Sequence, residues 1–62
     1  MSEAFRLSRI QAAGWNAARG VSPSRLADLD EEGIAALNPY ARDPERSRWR
    51  QGFDSARETP GR

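Results

Sequence analysis

The chain has 62 residues, ten basic and nine acidic side chains, and a net charge of +1. That length supports one domain at most and one small core, without the walls that a substrate pocket of roughly 300–1,000 Å³ requires. There is no Cys and no His, which excludes disulfides, thiolate metal sites and the commonest acid–base group and metal ligand. All ten basic residues are Arg, a side chain suited to forked contacts with phosphate or carboxylate.

The N-terminal stretch MSEAFRLSRI carries Glu3, Arg6 and Arg9 and has no long apolar run. It reads as neither a secretory signal nor a membrane span, so a soluble, cytoplasmic protein with no membrane partner is expected. Ser2 is placed to cap a helix, with Glu3 in its first turn. No Pro interrupts residues 3–19, and Gly20 follows as a stop. At about 100° per residue, Leu7, Ile10, Gly14, Ala17 and Ala18 share one side, with Ala4 and Trp15 at its border. Arg6, Arg9, Asn16 and Arg19 lie on the other side. The pattern predicts an amphipathic helix over about 3–19.

A linker over 20–42 follows, opened by Ser22-Pro23 and closed by Asn38-Pro39. Leu26, Leu29, Ile34 and Leu37 predict helical turns that cover the core. Asp30 ahead of Glu31-Glu32 reads as a cap, which predicts a short helix over about 31–37 and a turn or two over 24–29. Asp43-Pro44-Glu45 is the clearest start signal, with Asp as cap and Pro at the first helical position. It predicts a second long helix over about 44–58, with Trp49, Gly52, Phe53 and Ala56 as its apolar stripe. Arg46, Arg50 and Arg57 run along one flank, and Arg50 can pair with Asp54 one turn on. Residues 59–62 are expected to be a frayed tail.

The phrase GWNAAR at Gly14 returns as GFDSAR at Gly52, 38 positions later. In both copies a Gly stands beside an aromatic and an Ala follows four positions after the Gly. Small residues let backbones approach, so the two copies predict helix faces that pack on each other with pseudo-symmetry. The same grammar is also ordinary helix packing. The expected fold is all-α. It is a two-helix hairpin around Trp15, Trp49 and Phe53, with an ordered linker, in a single domain over residues 1–58. The expected core comprises Leu7, Ile10, Gly14, Trp15, Ala18, Trp49, Gly52, Phe53 and Ala56.

In order, GWNAARG, NPY and RSRWRQGFDSA resemble the ribosome modulation factor family, including its CrpP-like relatives. The matching positions are Gly14, Trp15, Ala18, Gly20, Asn38, Pro39, Tyr40, Trp49, Gly52, Phe53 and Ala56. The resemblance implies two helices joined by a linker, and a stationary-phase or stress factor that binds the ribosome. It further implies docking on small-subunit rRNA and the promotion of inactive ribosome dimers. The linker here is longer than in the best-known members and carries DLDEE, and the net charge is lower.

The residues themselves offer two binding surfaces. Arg42, Arg46, Arg48, Arg50 and Arg57 crowd the second helix and its approach, and Arg9 and Arg19 line the outer face of the first. They are the candidate phosphate contacts, with Tyr40 the aromatic least committed to the core. The alternative is a solvated helix face balanced by Asp43, Glu45, Asp54 and Glu58. The segment Asp28–Leu37, with its acids and leucines, is the candidate surface for a protein partner. Its acids lack the glycine and terminal Glu of a calcium loop, so no metal is assigned. There is no phosphate loop before a helix and no Lys, so no cofactor, no small-molecule substrate and no enzymatic activity are expected. The leading expectation is a ribosome- or rRNA-binding factor acting by occupancy. The alternative is a protein-interaction module of the same fold.

Overall fold

The computed structural model describes residues 2–58, and the tail expected over 59–62 lies outside them. Four helices follow in order: α1 (Glu3–Arg19), α2 (Pro23–Asp28), α3 (Glu31–Leu37) and α4 (Glu45–Glu58). The fold is all-α, and the two long helices, α1 and α4, pack on each other. None of the described helices is long and apolar enough to cross a membrane.

At the starts of α1, α3 and α4 a short polar side chain satisfies a free N–H, whereas Ser22 ahead of α2 makes no such bond. The Ser2 hydroxyl accepts from the Phe5 N–H at 3.2 Å, and Asp30 Oδ1 accepts from the Gly33 N–H at 2.8 Å. Pro23 stands at the start of α2, where its missing N–H costs nothing. The start of α4 departs slightly from expectation. Pro44 lies in the turn, and Glu45 is the first helical residue. Asp43 Oδ1 reaches forward to the Ser47 N–H at 3.0 Å and the Ser47 hydroxyl at 2.6 Å. The Pro44 carbonyl meanwhile accepts from the Arg48 N–H at 3.1 Å, so the first turn is secured without Pro44 inside it.

The core consists of Leu7, Ile10 and Ala18 from α1, Ile34 from α3, and Trp49 and Phe53 from α4. Trp49 and Phe53 stack with ring centroids 5.2 Å apart. Ala17, Leu26, Leu29, Tyr40 and Ala56 pack against this cluster while only partly buried. Ile34 is 1% exposed, so the linker contributes a full core residue, and burying it stabilises the fold by about 1.5–3 kcal/mol.

Two expectations need correction. Trp15 is only half-buried and stands outside the cluster. One residue beyond Gly14 turns it about 100° from the seam. Its backbone nitrogen lies against Gly52 of α4. Leu37 is 45% exposed and stands outside the core cluster. Ile34 is the one buried residue of α3, and Leu37, about 60° further round the axis and at the end of the helix, stays outside.

The repeated phrase is the seam between the long helices. A Cβ on Gly14 would stand 2.0 Å from the Trp49 carbonyl oxygen and 3.1 Å from the Phe53 nitrogen. A Cβ on Gly52 would stand 1.8 Å from the Gln11 carbonyl oxygen and 3.0 Å from the Trp15 nitrogen. Adding 38 to Gly14, Gln11 and Trp15 gives Gly52, Trp49 and Phe53, so the two contacts interchange under one pseudo-two-fold relation. Each glycine aims an α-hydrogen at a carbonyl of the opposite helix, the close approach that Cα–H···O contacts need.

Contacts along the pair keep the same offset. Arg6 bonds Glu45, 39 positions on, and Arg48 bonds Gln11 across 37. A near-constant offset means that α1 and α4 run in the same direction, so the two long helices pack together as expected but in parallel, where a simple hairpin would be antiparallel. The linker makes this possible by returning the chain along α4. Glu31 meets Arg50, and further on Asn38 donates to the Arg46 carbonyl at 3.1 Å.

These contacts set the sign of glycine substitutions. Gly→Ala inside a solvent-facing helix gains about 1 kcal/mol of propensity. At Gly14 and Gly52 the new methyl meets backbone, which cannot yield as a side-chain tip can, and overpacking costs about 1–3 kcal/mol. Gly14→Ala and Gly52→Ala are each expected to lower the melting temperature. Gly33→Ala meets only the tip of Leu29 and the Asp30 carboxylate, and is expected to be neutral or stabilising. Thermal unfolding of the three variants checks this, and an unchanged melting temperature at Gly14 or Gly52 contradicts the seam. By the same measurement, Ile34→Ala is expected to cost about 2–5 kcal/mol, and Leu37→Ala close to nothing.

Candidate nucleic-acid interface

The five Arg in and just before α4 are dispersed around the molecule. Successive α-helical residues turn by about 100°, so Arg48 points to the flank opposite Arg46 and Arg50. Arg48 is half-buried and donates to Gln11 Oε1 at 2.8 Å, joining α4 to α1.

Arg50 is the hub of the other flank. Its Nη1 and Nη2 donate to the two Glu31 carboxylate oxygens at 2.7 and 2.8 Å. Its Nε donates to Asp54 at 2.9 and 3.0 Å. Arg57 also donates to Asp54, at 3.2 Å. The forked guanidinium thus ties α3 to α4 bidentately, the geometry in which Arg surpasses Lys. Arg50 and Arg57 are occupied as structural cations. A groove of about 600 Å³ opens beside this hub between α3 and α4, lined by Glu32, Ile34, Ala35, Arg46 and Gln51 among others.

Arg6 plays the matching part at the other end, donating to Glu45 at 2.8 Å and to Glu3 at 3.1 Å. Tyr40 is half-buried against the core, and its N–H donates to Asn38 Oδ1 at 3.0 Å. It is a packing residue as much as a surface one.

The carboxylates respond to these partners. Hydrogen bonds from Arg50 hold Glu31 below the usual carboxylate range, and those from Arg6 do the same for Glu45. Asp43 is lowered by its bonds to Ser47.

Among the described residues, the side chains of Arg9, Arg19, Arg25, Arg42 and Arg46 form no ion pair or hydrogen bond. All five are exposed. Arg42 and Arg46 flank the first turn of α4, while Arg9 and Arg19 stand on α1 and Arg25 on α2. The acids are distributed differently. Glu31, Glu45, Asp54 and Glu3 are ion-paired, and Asp30 and Asp43 cap helices.

No family model, curated protein or solved structure matches the chain. The functional reading therefore rests on the arrangement of its own side chains.

One signal lies in plain view in the sequence. From Ala4 to Ala27 there is no Asp or Glu, while Arg6, Arg9, Arg19 and Arg25 fall in that span. The near-neutral total conceals a net charge of +3 over residues 1–27 and −2 over residues 28–62. Attention to local Arg density leads to α4 instead, where acids on neighbouring turns and on α3 absorb the charge.

The lowered carboxylates predict a direction of pH dependence. Their folded pKa values lie below the unfolded ones, so their stabilisation is complete above the ordinary carboxylate range. It is lost as pH falls through the lowered values. Thermal stability is expected to be flat from neutral pH to about pH 5 and to fall below about pH 4. Glu31→Gln combined with Glu45→Gln is expected to flatten that fall, as read by circular dichroism melts across pH. An acid limb unchanged in the double variant contradicts the assignment.

Proposed function

We propose that the protein is a ribosome- or rRNA-binding modulation factor that acts by occupying its site rather than by chemistry. The observation that carries this reading is the segregation of charge. Asp30, Glu31, Asp43, Glu45 and Asp54 have internal partners, and within the acid-free span from residue 4 to 27 the exposed Arg9 and Arg19 of α1 form no ion pair. Such a surface favours a polyanion, whose phosphates release counterions on contact. The Gly14-Trp15, Asn38-Pro39-Tyr40 and Gly52-Phe53 motifs, which resemble the ribosome modulation factor family, add to the same reading.

A second reading has one observation in its favour. Leu37 is an exposed large apolar side chain at the end of α3, on the segment Asp28–Leu37 and next in sequence to Asn38, which lines the groove. That combination suits a protein partner.

Sedimentation of stationary-phase lysate at graded salt separates the two. The protein is expected to travel with ribosomal particles at low salt and to leave them as salt rises. Each engaged phosphate contributes roughly −0.7 to the slope of log affinity against log salt on single strands, so four Arg give about −3. Arg50→Gln is expected to leave that slope unchanged, because its donors are already used by Glu31 and Asp54. Salt-insensitive association that Leu37→Asp abolishes would favour the protein-partner reading.

A further inference from the structure

The solvent face of α1 carries a set of side chains that the fold does not use. Phe5 is 51% exposed, and Arg9, Ala12, Asn16 and Arg19 are exposed as well. At about 100° per residue all four lie within about 40° of Phe5 around the helix axis, so they form one straight stripe. Arg9 stands one turn from Phe5. Arg19 lies about 15 Å beyond Arg9, at 1.5 Å per residue. The side chains of Arg9, Asn16 and Arg19 make no hydrogen bond or ion pair among the described residues. The one acid of this helix, Glu3, projects to the opposite side and is bonded to Arg6.

A single exposed Phe is ordinary on a protein surface. Its setting here is not, because it stands on a face that has cations and an amide but no carboxylate.

We propose that this stripe is the contact surface for single-stranded RNA, with Phe5 stacking on an unpaired base and Arg9 and Arg19 on backbone phosphates. Asn16, between the two Arg, offers a donor and an acceptor to a base edge. The stripe rests on the RNA-binding reading given above and identifies where on the molecule that binding occurs. Three features select the occupant. The charge is complementary to phosphate over the whole length of the face. The aromatic is half exposed, which leaves ring surface for stacking on unpaired bases and has no use on a duplex whose bases are already stacked. Arg9 is one turn away from Phe5, so a base on the ring puts its own backbone within reach of a guanidinium. An acidic protein segment would satisfy the Arg but not the ring.

The test is fluorescence anisotropy with a labelled, unstructured oligoribonucleotide. Its duplex form and a polyglutamate peptide serve as competing probes. Phe5→Ala is expected to weaken single-strand binding roughly 5- to 150-fold, the range for losing one stacked base, and Phe5→Trp to preserve it. Both variants should melt near the parent temperature, because the ring is half in solvent. Arg9→Gln with Arg19→Gln is expected to reduce the salt slope by roughly 1.4. Equal binding of polyglutamate, or of the duplex, would overturn the assignment to single strands. A slope that falls with Arg42→Gln and Arg46→Gln, and not with the α1 pair, would overturn the stripe while leaving RNA binding intact. Absence of RNA binding, and of ribosome association, by the unaltered chain would overturn both.

Discussion

Two glycines, each receiving a backbone carbonyl of the opposite helix, set the distance between α1 and α4. Everything else in the structure depends on that distance. With the backbones in contact, Leu7 and Ile10 reach Trp49 and Phe53, and the small side chain of Ala18 is enough to close the upper end of the seam. Any side chain at Gly14 or Gly52 would hold the helices apart and open the core along its length. A chain of this size has little other buried area to compensate. The repeated phrase is thus the two halves of one contact, each half supplying a glycine and the carbonyl that the other glycine receives.

The polar interactions do a different job. They do not generate the core but determine how the linker lies on it. Asn38 joins the end of α3 to the Arg46 carbonyl, and Arg50 grips Glu31 at the other end of the same short helix. Between those two anchors, Ile34 is pressed into the seam. Arg6 and Glu45 clamp the N-terminal ends of the long helices in the same way. This use of charge has a functional consequence. Arg that serve the fold cannot also serve a ligand, so in the densest cluster of Arg in the sequence Arg48 and Arg50 are committed and only Arg42 and Arg46 stay open. Of the Arg left over, Arg9 and Arg19 stand on an acid-free face of α1, whereas Arg25, Arg42 and Arg46 have acids close by in the chain.

Much of the fold was legible in the sequence. Ser2, Asp30 and Asp43 announced helix starts, because a short side chain with an acceptor acts within three or four residues of its own position. The Leu7, Ile10, Gly14 and Ala18 stripe, and its counterpart at Trp49, Gly52 and Phe53, followed from helical periodicity alone. Trp15 was misjudged because size suggests burial, whereas its angular position leaves its ring at the edge. Leu37 was misjudged for the opposite reason. Spacing puts it on the same side of the helix as Ile34, but only the docking of α3 decides how much of that side the core covers. The candidate site was less legible than the fold. Arg9 and Arg19 are recognisable as outward-facing, yet nothing local distinguishes them from Arg50. The difference lies in Glu31, 19 positions away from Arg50.

By itself, then, the sequence determined the helices, their caps, the apolar stripes and the two glycines that invite close approach, because each of these is governed by neighbours within one or two turns. It also determined the absence of His, Cys and Lys, and with them much of the usual chemistry. Only the tertiary structure decided that α1 and α4 run in the same direction, that Ile34 rather than Leu37 enters the core, and which Arg remain open to a partner. Those outcomes depend on pairings between residues 19 to 39 positions apart. A carboxylate or carbonyl that far along the chain exerts its influence only after folding has brought it within hydrogen-bonding distance.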